Sequence, residues 1–299
     1  MKRRHFLLYS FLLAAGCTTA TNSGTNPQDD SSQLQPLSKL RFAVTDAKGL
    51  EDLERDYEPF RAALEKALDL PVEFFPVEDY FAAAAALQSN AVDLVWAGPS
   101  EYVVIKARTN AVPIVEIPRP EYYTVLWVRA DSGIKSIAEL KGKTIDVRKD
   151  GSTVSHLGAV KLLLDAGLDP QTDVTLITSG EYSLKPLETG AADAMTRAPY
   201  RYQNALAEAG ASESDYPVLI QGQQLPGDIF ILGSHFEAAR RADIQARMLA
   251  NQQDFMAAIA AVESLGFRFQ GSSLVAADDA VYDLIREVYT AIGQGDFIQ

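Results

Sequence analysis

One cysteine and three histidines in 299 residues leave little of the usual material for covalent or metal chemistry. A single cysteine excludes intrachain disulfides, so stability has to come from the core. His5, His156 and His235 are scattered, and no Gly-x-Ser-x-Gly elbow, His-Glu-x-x-His helix or Cys-x-x-Cys pair occurs, so hydrolase and zinc readings lack their minimal parts. Ser155-His156 adjacency does not make a dyad, because sequence neighbours rarely orient for proton transfer. Asp278-Asp279 lacks the further spaced oxygen ligands of a cation site, and an acid pair opening a helix accounts for it. Positive charge is also scarce: 27 Lys and Arg stand against 40 Asp and Glu, a formal charge of −13. That balance argues against nucleic acid or an anionic membrane surface as a partner. A small anion held by local donors remains compatible with it, since distant surface charge is screened. The chain is therefore expected to have no catalytic residue, no metal and no cofactor.

Long apolar runs are missing as well. The stretch Phe6 to Leu13 is shorter than the roughly 20 residues a membrane span requires. It follows the basic Met1-Lys2-Arg3-Arg4 and precedes Ala14-Ala15-Gly16-Cys17, the pattern of an export signal. Residues 1–17 resemble a bacterial lipoprotein signal, in which Cys17 becomes the lipidated first residue; plain secretion is the alternative. Arg3-Arg4-His5-Phe6-Leu7 also resembles a twin-arginine signal, so the export route stays open. Loss of Lys2, Arg3 and Arg4 with the signal takes the charge to −16. Residues 18–38 are rich in Thr, Ser, Asn, Gln, Asp and Pro and read as a flexible tether. About 260 residues remain, enough for one large or two smaller lobes.

Within that body, strand and helix patterns alternate. Leu40–Val44, Val72–Pro76 and Val92–Trp96 read as strands, with helices over Tyr57–Leu68 and Tyr80–Gln88 between them. Gly98-Pro99 makes a sharp turn into a helix through Lys106. Such β-α repetition implies a parallel sheet covered by helices, an α/β fold. A long β-prone segment, Tyr122 to Val128, precedes a restart of the pattern at Ile145–Val147 and Val174–Ile177, as a crossover into a second lobe would give. Leu219–Gln221 and Phe230–Leu232 look like the return, followed by helices over Ala242–Leu265 and Asp279–Ile292. No internal repeat is evident.

The richest stretch is Gly151-Ser152-Thr153-Val154-Ser155-His156. It opens a short amphipathic helix that ends at Gly167. A helix start leaves backbone N–H groups unpaired and carries partial positive charge, which suits an oxyanion. A helix cap by Asp150 or one of the hydroxyls would also explain it. Three hydroxyls within four positions exceed what a cap needs, and ligands in open α/β sheets gather beyond strand ends. A nucleotide P-loop is excluded by the absence of Gly-Lys-Ser/Thr. His156 is expected to sit on the first turn without ligand contact.

Several further motifs fall in a familiar order: Glu78-Asp79-Tyr80, Val92-Asp93-Leu94, Gly98-Pro99-Ser100-Glu101-Tyr102, Tyr122-Tyr123-Thr124, Asp131-Ser132-Gly133-Ile134, Gly151-Ser152-Thr153, Gly190-Ala191-Ala192-Asp193-Ala194 and Ala277-Asp278-Asp279-Ala280-Val281-Tyr282. Together, over roughly residues 40 to 290, they resemble the phosphate, phosphite and phosphonate binding proteins of ABC importers. The resemblance implies a type II periplasmic binding protein, two α/β lobes joined by two crossing strands that close on a ligand. It divides the chain into a first lobe at 39–121 and 227–299 and a second at 122–226. The implied function is an exported, lipid-anchored, monomeric receptor in the periplasm that delivers a phosphorus oxyanion to an ABC permease. A membrane-tethered sensory receptor for a small anion is the alternative.

Position by position, the resemblance assigns ligand contacts to Tyr80, Tyr123, Ser152 and Thr153. Ser100, Ser155 and Glu181 complete the candidate site. Tyr122 and Tyr123 point to opposite faces of an extended strand, so at most one reaches the cleft. Ser100 serves equally as a cap after Pro99. A carboxylate at Glu181 facing the cleft would accept a hydrogen bond from a protonated ligand, whereas a solvated surface position is the commoner fate of glutamate. Arg197 and Arg201 could clamp an anion, though their spacing also fits an exposed helix face. The chain departs from the family where Val154 and Ser155 replace serine and glycine, where 179–181 lacks a histidine, and where Thr196-Arg197-Ala198-Pro199 lacks an acid.

Overall fold

The computed structural model describes residues 37–298. The export signal, Cys17 and the tether up to residue 36 lie outside the described residues. Among the described residues no helix is long and apolar enough to cross a membrane.

The chain starts with β1 (Leu40–Val44), β2 (Val72–Phe74), β3 (Leu94–Ala97) and β4 (Val112–Ile117). It then enters a second sheet formed by β5 (Val125–Val128), β6 (Thr144–Asp146), β7 (Thr175–Ile177), β8 (Ala194–Arg197) and β9 (Val218–Gln221), in the order β7-β6-β8-β5-β9. β10 (Asp228–Leu232) and β11 (Val275–Ala276) return to the first sheet, whose order is β11-β4-β10-β3-β1-β2. This is the two-lobed α/β architecture that the alternating pattern and the family resemblance imply. β3 and β5 are apolar and buried along their whole length, as strands covered on both faces are. In the first lobe, Phe60 stacks on Phe230 at 5.3 Å and meets Trp96 at 4.9 Å and Phe255 at 5.0 Å, which fixes the helix Gly49–Leu68 and the helix Gln252–Ala260 to the sheet.

The two lobes repeat one local device. Asp93 lies just before β3, and its carboxylate accepts the main-chain N–H of Arg41 in β1 at 2.7 Å. Asp193 lies just before β8 and accepts the N–H of Thr144 in β6 at 2.9 Å. Each strand then runs into a helix with proline in its first turn, Pro99–Arg108 and Pro199–Ala209. Besides the aspartate and the proline, the two stretches share Ala91 with Ala191 and Tyr102 with Tyr202 at the same spacing, still too little for a sequence repeat to register.

Several boundaries differ from expectation. The first helix begins at Gly49 rather than Tyr57, because Asp52 accepts the Lys48 N–H at 2.9 Å and acids occupy its first turn. β4 escapes prediction because Pro113 interrupts it, and the ladder with β10 shifts register between Phe230 and Ile231, beside Pro113. The expected helix Ala242–Leu265 is three helices, Ala238–Ala250, Gln252–Ala260 and Glu263–Gly266.

Residues 118–124 and 222–227 carry the chain between the sheets and lie against each other. Gly222 N–H donates to the Thr124 carbonyl at 2.8 Å, and Leu225 N–H to that of Tyr122 at 2.8 Å. Gly227 approaches the other segment so closely that a Cβ there would lie 2.1 Å from the Ile117 carbonyl oxygen, so no larger residue fits unless the backbone moves.

Candidate ligand-binding site

The C-terminal ends of β1, β3, β6 and β8 open onto one cavity of about 390 Å³. On the first-lobe side, Gly98 precedes the helix Pro99–Arg108, and Glu101 reaches back to accept the Gly98 N–H at 2.8 Å. On the second-lobe side, Thr153–Leu157 forms a π-helical turn ahead of the helix Gly158–Asp165. Such turns are rare and recur at functional sites. Here the turn packs tightly against the crossing segment, where a Cβ on Gly158 would fall 1.8 Å from Thr124 Oγ1.

The hydroxyls of the two helix starts meet each other. Thr153 Oγ1 donates to Ser100 Oγ at 3.0 Å and accepts the Ser100 N–H at 3.2 Å. Tyr122 hydrogen-bonds Thr153, and burial raises its phenol pKa. Ser152 is the helix cap, its Oγ accepting the Ser155 N–H at 3.4 Å. Tyr80 opens the helix Tyr80–Gln88 and lines the cavity; its hydroxyl has no hydrogen-bond partner among the described residues.

Tyr80, Ser100, Ser152 and Thr153 thus come together at the cavity, whereas Tyr123, Ser155 and Glu181 do not line it. Tyr122 takes the cavity face, and Tyr123 packs into the second-lobe core with Val125 and Trp127. Ser155 is buried, with its carbonyl accepting Thr196 Oγ1 at 2.6 Å. The Glu181 carboxylate lies near Ser183 Oγ at 3.5 Å, and it is the next residue, Tyr182, that reaches the cavity. Val154 lines it too, while its carbonyl accepts Thr124 Oγ1 at 2.6 Å. His156 stays out of the cavity: its Nδ1 accepts the Gly151 N–H at 3.0 Å, and burial lowers its pKa. Arg197 is fully buried and paired with Asp146 at 2.6 Å, so it supports the second sheet and does not clamp an anion. Arg201 does line the cavity.

Apart from Arg201, sequence reasoning missed the charged groups of the wall. Arg119 and Asp228 form a buried ion pair joining the two crossing segments, and Asp228 also accepts Trp96 Nε1–H at 3.0 Å. The Arg119 guanidinium lies between Tyr122, at 4.7 Å, and Phe269, at 5.1 Å, with Nε buried and unpartnered. Burial works against its charge, and the nearby Asp228 more than restores it. Glu101 is pushed up to about 7 by burial and by the negative Asp46 and Asp228, against the pull of Gly98 N–H and Lys149. Its place three residues after Gly98 fits a capping pattern, a signal available in the sequence. Arg119, in Pro118-Arg119-Pro120, carries no comparable signal.

The family described as "ABC transporter, phosphonate, periplasmic substrate-binding protein" matches residues 42–282. The phosphate-import protein PhnD of Mycolicibacterium smegmatis is 28% identical over 164 residues, which cover 52% of this chain and 50% of that protein. The probable ABC transporter phosphite binding protein PhnD1 of Prochlorococcus marinus is 30% identical over 138 residues, 44% of this chain and 46% of that protein. The chain spans about half the length of these curated relatives in the matches. In three dimensions it is similar to the structure of PhnD1 from Prochlorococcus marinus in complex with methylphosphonate, with a TM-score of 0.62, 18% identity, and coverage of 86% of this chain and 99% of that one.

Proposed function

The chain belongs to the phosphonate family of periplasmic substrate-binding proteins of ABC transporters, and we propose that it is the receptor that captures a phosphorus oxyanion and delivers it to a permease. The observation that carries this reading is the meeting of Ser100 and Thr153. Two helix starts, one from each lobe, bring hydroxyl and N–H donors to one point of the cavity. Neutral donors at helix N-termini bind tetrahedral oxyanions. Tyr80, Tyr122 and the buried Nε of Arg119 supply further donors on the same wall. The relatives named for phosphate and phosphite, and the neighbour holding methylphosphonate, direct the choice to phosphorus over other oxyanions.

The protein acts by closure on its ligand and stoichiometric release, without turnover. It is exported, held to the membrane by lipid on Cys17, and monomeric. A thermal-shift panel of phosphate, phosphite, methylphosphonate, sulfate and small carboxylates tests the ligand class. A ligand at 100 times its Kd should stabilise the protein by about 2.7 kcal/mol. A clear shift with sulfate or a carboxylate and none with any phosphorus compound would sink the assignment.

A further inference from the structure

Three cations on the second-lobe side of the cavity form no ion pair among the described residues, although Lys149 acts on Glu101 from a distance. Arg148 and Lys149 follow β6, and Arg201 lies in the first turn of the helix Pro199–Ala209. No ion pair or side-chain hydrogen bond reaches any of them among the described residues, whereas Arg119 and Arg268, which line the same cavity from the first lobe, face Asp228 and Asp46. Arg148 and Arg201 both address one ring, with guanidinium carbons 4.5 and 4.1 Å from the centroid of Tyr182. A ring face attracts cations only weakly, and two guanidinium groups drawn to one ring repel each other.

Arg148 is also held in place. Its φ of 62° is in the left-handed region, secured by its N–H on Asp146 Oδ1 at 2.9 Å and its carbonyl on the Gly180 N–H at 3.0 Å. A bulky side chain stays in that region only where its surroundings impose it. The acid on this stretch, Asp150, lines the same cavity at an exposed position, forms no ion pair with the three cations among the described residues, and its field acts on His156. The cavity of about 390 Å³ matches sites for organic molecules. A bare tetrahedral oxyanion would leave most of it to water.

We propose that Arg148, Lys149 and Arg201 form a second anion subsite, and that the ligand is an organophosphorus compound with a further anionic group, such as a carboxylate, on its organic arm. This rests on the phosphorus reading above: the phosphorus group takes the Ser100–Thr153 end and the second charge takes the arginine end. The discriminating experiment is calorimetric titration of the protein with a matched pair, 3-phosphonopropionate and propylphosphonate. The carboxylated compound should bind at least about tenfold tighter, as charge-assisted contacts do. That ratio should collapse toward one in Arg148→Gln and Arg201→Gln and largely survive in Arg201→Lys. Equal affinity of the two compounds for the unmodified protein overturns the subsite while leaving the phosphorus reading intact. A ratio preserved in both glutamine variants overturns it as well, since the second charge would then be read elsewhere. Binding of neither compound sinks the phosphorus reading and the subsite with it.

Discussion

Ser100 and Thr153 hold each other's polar groups at the point where the two lobes touch, so each substitution there should act on binding more than on folding. Ser100→Ala and Thr153→Ala should each weaken binding of the phosphorus ligand by about 1.5 to 3 kcal/mol, the worth of a hydrogen bond to a charged group. Thr153→Ser should stay near the parent, and titration calorimetry reads all three. Unchanged affinity in both alanine variants would reduce the contact to a lobe-to-lobe tie. Glu101 makes a separate, pH-dependent prediction. Its carboxyl, raised to about 7 in the folded protein, keeps a proton that the unfolded chain releases near its ordinary 4.5. The folded state therefore binds more protons in that window, and stability falls as pH rises through it. Glu101→Gln should flatten this decline in urea titrations at pH 5 and pH 8. His156 has the opposite sign: with its pKa lowered, its share of stability is present above 6.5 and is lost as pH falls. If the variant and the parent show the same pH slope, Glu101 is not the group that titrates. At this scale the sequence marked Ser100, Ser152, Thr153 and Tyr80 through helix-start chemistry and family likeness. The resemblance pointed to Tyr123, whereas Tyr122 lines the cavity, and alternation could not decide between them because it says that the two faces differ without saying which is inward.

The elements that set the cleft are the two crossing segments, and their contact is sterically strict. Gly227→Ala places a Cβ against the Ile117 carbonyl and the Pro118 main chain, where no flexible side chain can yield. It should cost about 1 to 3 kcal/mol by overpacking, read as a lowered denaturant midpoint with an unchanged m-value. Asp228→Asn is predicted to be worse. It removes the charge facing Arg119, leaving a buried cation without its counter-ion, a loss of about 3 to 5 kcal/mol. A variant as stable as the parent would show that Arg119 finds another partner. Strands with unbroken apolar runs were legible in the sequence, as Leu94–Trp96 in β3 and Phe230–Leu232 in β10 show, and so was the helix Tyr80–Gln88 with its Asp79 cap. β4 was not, because Pro113 hides a strand that survives by a register shift. Nor were the crossing segments: their geometry comes from long-range contacts such as the Gln224 amide on the Arg119 carbonyl at 2.8 Å, which no local pattern encodes.

Across the whole molecule, the question is whether the two lobes behave as one unit. One apolar cluster joins Leu157 and Val160 of the second lobe to Val103, Tyr282 and Val288 of the first. Others belong to one sheet alone, such as that of Phe42, Phe60 and Phe230 and that of Leu126, Ile145 and Leu163, and these could melt independently. Against this stand the double crossing, the Ser100–Thr153 pair, the Arg119–Asp228 pair and the edge-on contact of Tyr200 with Phe267 at 5.1 Å across the cleft. The chain has two tryptophans, and each sheet holds one: Trp96 in β3 and Trp127 in β5. Trp96→Phe leaves a reporter in the second lobe and Trp127→Phe one in the first. Both tryptophans are almost fully buried, so unfolding of either lobe should change its fluorescence. With the phosphorus ligand bound between the lobes, the two reporters should give coincident thermal transitions that move up together, because a ligand gripped from both sides couples their unfolding. Trp96→Phe also removes the Asp228 contact, so its midpoint should be lower throughout, without separating the two lobes' response to ligand. If saturating ligand shifts one reporter and leaves the other unmoved, the oxyanion is held by a single lobe, and the closing mechanism fails even though the cavity binds.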